Sequence, residues 1–224
     1  MSVPSSDGNK QTIKDLKALY LPLKTEIKSR LKEFERIWET GTEEDIFSEF
    51  AFCIMTPQSK ARSCDAAVKS LLEKDLLVKG NVQQIAEKLR SKVRFHNTKA
   101  KNIVEARRIF TKKGELSVKP IIAQFPEVEE ARKWLVGNIR GIGYKEASHF
   151  LRNIGFGKEL AILDRHILKN LQGLKVINEI PTSLSRNKYL SIEKKMKEFA
   201  ENVKIPLSHL DLLLWYKETN EIFK

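Results

Sequence analysis

Cysteine is almost missing from this chain: Cys53 and Cys64 are the only two in 224 residues. Two thiols build neither a disulfide framework nor a four-thiolate metal cluster, so a reduced, metal-free protein is expected. Long apolar runs are missing too, and none approaches the ~18 residues of a membrane span. The polar opening MSVPSSDGNK lacks the apolar heart of a secretory leader, so a soluble, unprocessed, intracellular protein is expected. Alternating β-rich runs flanked by hairpin turns are absent, as are internal repeats and low-complexity blocks. Acidic residues are in deficit, with 29 Asp and Glu against 41 Lys and Arg and a formal charge of +12. That excess suits a polyanionic partner, nucleic acid first, although the Lys- and Glu-rich surface of a thermophile protein gives a similar balance. The length fits one large domain or two modest ones.

What is there reads as helix. Residues 1 to 10 have the composition of a flexible tail. In TEEDIFSEFAFCIMT, Thr42 is placed to cap a helix with acids behind it, and Ile46, Phe47, Phe50, Ala51, Ile54 and Met55 recur on one face. Further helical patterns cover about 60–74, 82–91, 98–112, 127–136, 144–154, 165–171, 189–203 and 207–219. Pro126 and Pro206 fall at first turns. The fold class is therefore all-α, with helices joined by short loops.

The segment GNIRGIGYKEASHFLRNIGF, residues 137–156, is helix, glycine turn, helix. Gly141 and Gly143 either let the backbone approach a phosphate, with the N–H groups opening the next helix as donors, or simply make a compact corner. Lys145 then stands where a helix begins. A cation there opposes the macrodipole at a cost of roughly a few tenths of a kcal/mol or more, which calls for a compensating role as phosphate ligand or nucleophile. Further on, LAILDRHILKNL puts Asp164 directly before a helical run, as an N-cap, as a carboxylate facing a cleft, or both.

The hairpin with its lysine, followed at this spacing by the aspartate of LDRHIL, resembles the helix-hairpin-helix superfamily of DNA base-excision glycosylases, in particular its bifunctional members. RFHNTKAKNI from Arg94 and the ending LDLLLWYKETNEIFK are similar to the compact second family of 8-oxoguanine DNA glycosylases known from archaea and some bacteria. The resemblance covers roughly residues 15–224.

That resemblance implies two helical domains, a bundle over 42–157 ending in the hairpin and a second domain from 11–41 plus 158–224. The hairpin would lie at the cleft between them, with Lys145 and Asp164 facing each other across it. Lys145 would attack C1′ of a damaged nucleotide, helped by cations such as Arg140 or Arg152, and Asp164 would stabilise charge developing on the sugar. Phe95 and Trp215 match positions lining the pocket for the flipped base, and Asp211 and Lys224 match positions contacting the oxidised guanine, Lys224 with its carboxylate turned inward. Trp215 with Leu212 and Leu213 also reads as an ordinary core face. Gln58 in MTPQSKAR would fill the gap left by the base or be a plain loop residue, and His166 matches a position near the phosphate backbone. Arg94, Lys99, Arg140, Gly141 and Gly143 complete the expected DNA contacts. The implied partner is double-stranded DNA containing 8-oxoguanine, met by a cytoplasmic, DNA-associated monomer with no cofactor and no metal. An oxidised-pyrimidine enzyme on the same scaffold and a non-enzymatic DNA-binding module are the alternatives. The four-cysteine iron–sulfur loop of some superfamily members is excluded, since no cysteine follows Cys64.

Overall fold

The computed structural model describes residues 12–224. The expected flexible tail lies outside the described residues. Within them the fold is all-α, with twelve helices and one two-stranded ribbon, and it divides into two compact units. None of these helices is long and apolar enough to cross a membrane.

The larger unit takes residues 31–160 together with Lys224. Its centre is α2 (Glu43–Met55), and the cause is readable in its sequence. Thr42 and Asp45 exchange side-chain-to-backbone hydrogen bonds in a capping box, three acids occupy the first turn, and nine residues from Ile46 to Met55 are buried. Around α2 pack α3 (Ala61–Leu72), α6 (His96–Ile109), α7 (Val118–Ile122) and α9 (Tyr144–Asn153). Phe50 meets Phe110 and Phe150 edge-on, at centroid distances of 5.1 and 5.3 Å. Burying each such ring is worth about 1.5–3 kcal/mol, so this cluster fixes α2 against the end of α6 and against α9.

The hairpin itself joins α8 (Val128–Asn138) to α9. Gly141 turns it with φ +84°, and a Cβ there would stand 2.1 Å from Nδ2 of Asn102. Glycine is demanded twice, by the left-handed backbone and by the close approach of α6.

α6 stops three residues short of the end expected at 112. Thr111–Lys112 and Glu115–Leu116 form an antiparallel ribbon instead, turned by Lys113 and Gly114, both at positive φ. Two successive left-handed residues are what a two-residue hairpin of the right twist needs, and a lysine–glycine pair supplies them.

The smaller unit takes residues 12–30 and 161–223. It contains the start of α1 (Ile13–Thr40), α10 (Arg165–Gly173), α11 (Arg186–Val203) and α12 (Leu207–Thr219), with α12 packed on both α10 and α11. Leu16, Tyr20 and Ile27 are the buried stripe of its α1 segment, and the Tyr20 hydroxyl is 2.9 Å from Nδ1 of His209. Residues 31–40 of α1 belong to the larger unit, where Leu31 and Phe34 are buried.

Candidate active site

In the larger unit the chemistry gathers at the C-terminal end of α2. Lys145 occupies the first turn of α9, and its Nζ donates to Oγ1 of Thr56, the C-cap of α2, at 2.9 Å. Thr56 in turn donates its hydroxyl proton to the carbonyl of Cys53 at 2.8 Å. The ammonium that opposes the dipole of its own helix thus lies at the favourable, carbonyl-bearing end of another. Its side chain is 21% exposed, with Glu146 Oε1 at 3.5 Å.

Lys99 is at the same helix end, and here the sequence expectation needs correcting. It is buried rather than presented to a phosphate, and its Nζ donates to the carbonyls of Met55 and Pro57 at 2.6 and 2.8 Å and to Oγ of Ser59 at 2.8 Å. Ser59 Oγ also accepts the backbone N–H of Arg94 at 3.0 Å. All this binding is spent on holding residues 56–59 as a rigid loop. Burial first, then the charges of Lys145 and Arg94, pull the Lys99 ammonium below the usual lysine range. The loop presents Gln58 exposed at φ +55°, a backbone region that non-glycine residues rarely adopt.

Phe95 is 55% exposed, also left-handed at φ +57°, with the Arg94 guanidinium 5.6 Å from its ring centroid. An aromatic face this open, beside a cation, is not part of the core. Arg140 and Gly141 are exposed at the hairpin. The Gly143 N–H is taken by Glu146 Oε2 at 3.2 Å, so the donors left for an anion are those that open α9. Arg152, expected as a cation near the amine, is buried with its guanidinium over Phe34 at 4.9 Å.

Lys224 is anchored by residues the sequence reading missed. Its ammonium meets Glu49 Oε1 at 2.7 Å and Asp65 Oδ1 at 3.1 Å, and lies 4.8 Å from the ring centroid of Phe52. Burial alone would depress its pKa, but the two carboxylates outweigh burial and raise it above the usual lysine value. Glu49 Oε2 accepts from Asn153 at 2.9 Å, tying the same carboxylate to α9. The signal was present in the sequence: a carboxylate inside the apolar run around Phe47, Phe50 and Phe52 demands a buried partner. His149 is buried against the backbone of Lys224. Burial, followed by the charges of Arg152 and Lys145, holds it well below the usual histidine range and therefore neutral. Cys64 is pushed up to about 11 by burial and is a thiol, and buried Cys53 behaves as the small hydrophobe expected.

In the smaller unit, Asp164 caps α10 with a single oxygen. Oδ1 accepts the N–H groups of His166 and Ile167, both at 2.8 Å, which leaves Oδ2 outside the cap. Capping and a chemical role are therefore compatible. The strand of backbone before it is clamped from α11: Tyr189 donates to the carbonyl of Ala161 at 2.6 Å, and Glu193 accepts its N–H at 2.9 Å. Neither residue was legible as a support. His166 stands edge-on to half-buried Trp215 at 5.3 Å, with Nδ1 3.8 Å from Glu218. Asp211 is buried on α12.

Comparison with known proteins gives the family. Residues 27–205 match the family model described as 8-oxoguanine DNA glycosylase. A Fusobacterium nucleatum protein named 8-oxoguanine DNA glycosylase/AP lyase is 50% identical over 210 residues, 94% of this chain and 96% of that protein. The Methanocaldococcus jannaschii 8-oxoguanine glycosylase/lyase, solved in complex with a 15mer DNA containing 8-oxoguanine, superposes with a TM-score of 0.86 at 39% identity, covering 95% of this chain and 99% of that one. The Thermotoga maritima 8-oxoguanine DNA glycosylase gives 0.85 at 35% identity over 95% and 98%. With the hairpin, the lysine at its helix start and a match running through most of its length, this chain belongs to the 8-oxoguanine DNA glycosylase family.

Proposed function

We propose that this chain removes 8-oxoguanine from double-stranded DNA and then cuts the strand at the sugar left behind. The observation that carries the reading is the Lys145 amine: part-exposed at the start of the hairpin's second helix and hydrogen-bonded to a neutral hydroxyl. The protein half identical to this chain bears the name of both activities.

The Lys145 nitrogen, in its free-amine form, gives its lone pair to C1′, and the glycosidic C1′–N bond breaks with its electrons leaving on the base. The base takes up the proton that the nitrogen sheds. Opening of the C1′–O4′ bond leaves an imine and a protonated O4′. Loss of a C2′ proton then forms the C2′–C3′ double bond and expels the 3′ phosphate, so neither water nor a metal is needed for strand cleavage. Asp164, through Oδ2, stabilises the positive charge that develops on the sugar.

The flipped base stacks on Phe95, with Trp215 and Asp211 as further pocket residues. Lys224 meets the oxidised guanine through its main-chain end, since its ammonium is held by Glu49 and Asp65. Gln58 enters the gap in the duplex from the loop that Lys99 clamps. Gly141, Arg140 and the first N–H groups of α9 hold phosphate, with Arg94 and His166 as further backbone contacts. The enzyme acts as a monomer inside the cell.

The test is strand nicking on matched duplexes carrying 8-oxoguanine or an oxidised pyrimidine. The 8-oxoguanine duplex should be nicked, and Lys145→Gln should lose base release and nicking while still binding DNA. Nicking confined to the pyrimidine duplex would replace the lesion assignment, and an active Lys145→Gln would remove the nucleophile.

A further inference from the structure

Thr56 is absent from the roles assigned so far, yet the Lys145 amine donates to it at 2.9 Å, closer than Glu146 Oε1 at 3.5 Å. Its hydroxyl has one proton, and that proton is committed to the Cys53 carbonyl at 2.8 Å. Toward Lys145 Nζ, 2.9 Å away, the oxygen therefore offers only a lone pair. An acceptor-only partner receives an N–H from the amine and leaves the nitrogen's own lone pair pointing elsewhere. For a nucleophile this is the useful arrangement, because a donor at the same place would bind the lone pair needed for attack.

The oxygen is also held firmly. It belongs to the C-cap of α2, whose next carbonyls, those of Met55 and Pro57, are gripped by buried Lys99, and Ser59 closes the loop by accepting from Lys99 and from the Arg94 N–H. We propose that Thr56 is a positioning residue for the Lys145 amine: its hydroxyl orients the nitrogen lone pair for attack at C1′, and the loop clamped by Lys99 fixes that hydroxyl in place. This rests on Lys145 being the nucleophile.

The experiment compares Thr56→Val, Thr56→Ala and Thr56→Ser with the unaltered protein and Lys145→Gln, on 8-oxoguanine duplex under single-turnover conditions, together with DNA affinity and thermal unfolding. Valine keeps the branched shape and removes the acceptor, and alanine removes it without adding bulk. Both should lower the excision rate roughly tenfold to a hundredfold, the range expected for a misaligned nucleophile, with DNA affinity unchanged. Serine keeps the hydroxyl and should recover most of the rate. If affinity and melting temperature fall with the rate in valine and alanine alike, or serine is as slow as alanine, Thr56 is a helix cap and the proposal fails. If the rates of valine and alanine match the unaltered protein while Lys145→Gln is dead, the positioning role fails and the nucleophile stands. An active Lys145→Gln would instead remove the nucleophile on which both depend.

Discussion

Lys99→Met separates a buried clamp from a DNA contact. Methionine keeps most of the length and apolar stem but removes an ammonium that makes three hydrogen bonds, to Met55, Pro57 and Ser59. Hydrogen bonds to a charged donor are worth about 1.5–3 kcal/mol each, but burying the ammonium costs several kcal/mol, so the net loss on substitution is about 3 kcal/mol. For a protein of this size each kcal/mol moves Tm by about 2–4 °C, which gives a fall of roughly 6–12 °C. The DNA result should differ. A lysine that neutralises a phosphate adds about 0.9 to the slope of log affinity against log salt, and a clamp adds none. Calorimetry or circular dichroism melts, paired with fluorescence-anisotropy titrations across a salt series, read both quantities. A large drop in Tm with an unchanged salt slope is expected. An unchanged Tm with the slope reduced by about one contact would refute the clamp and restore Lys99 to the DNA surface.

Other consequences are as direct. Asp164→Asn retains an oxygen for the cap of α10, so Tm should hold while single-turnover excision falls roughly a hundredfold or more; equal loss of DNA affinity would contradict the assigned role. Gly141→Ala must enter a left-handed conformation at φ +84° and meet Asn102, costing at least about 1–2 kcal/mol and weakening binding of damaged and undamaged duplex by the same factor in anisotropy titrations. His149 and His209 both have pKa values depressed chiefly by burial, so the unfolded chain binds their protons first. Stability from these histidines is fully present above about pH 6.5 and is lost as pH falls below it, at up to about 1.4 kcal/mol per pH unit for each. His149→Asn should make the pH dependence of urea unfolding between pH 7 and 5 shallower; an equally steep profile would show that His149 is not the titrating group.

Much of the fold was legible because its causes are local. The acids behind Thr42 and the apolar face of α2 lie within one short segment, and the hairpin glycines and Lys145 fall within five residues. α1 was not singled out as a helix, since its stripe of Leu16, Tyr20, Ile27, Leu31 and Phe34 is thin among charges and interrupted by Pro22. The ribbon at 111–116 was lost because helical periodicity ran on past Ile109, and turn chemistry at Lys113 and Gly114 won. At the site, the missing information was long-range. Lys145 and Thr56 are 89 positions apart, and Lys99 reaches oxygens 40 to 44 positions back, so no local pattern distinguishes a buried clamp from a solvated cation. The two readings of Asp164 were never exclusive, because a carboxylate has two oxygens and the cap uses one.

The central claim is that the Lys145 nitrogen becomes bonded to the sugar. Borohydride reduction during turnover on 8-oxoguanine duplex, followed by proteolysis and mass spectrometry of the trapped adduct, locates that bond. The account predicts a single DNA-linked peptide carrying the modification on Lys145, and none from Lys145→Gln. An adduct on any other lysine, or undiminished trapping by the variant, would contradict it.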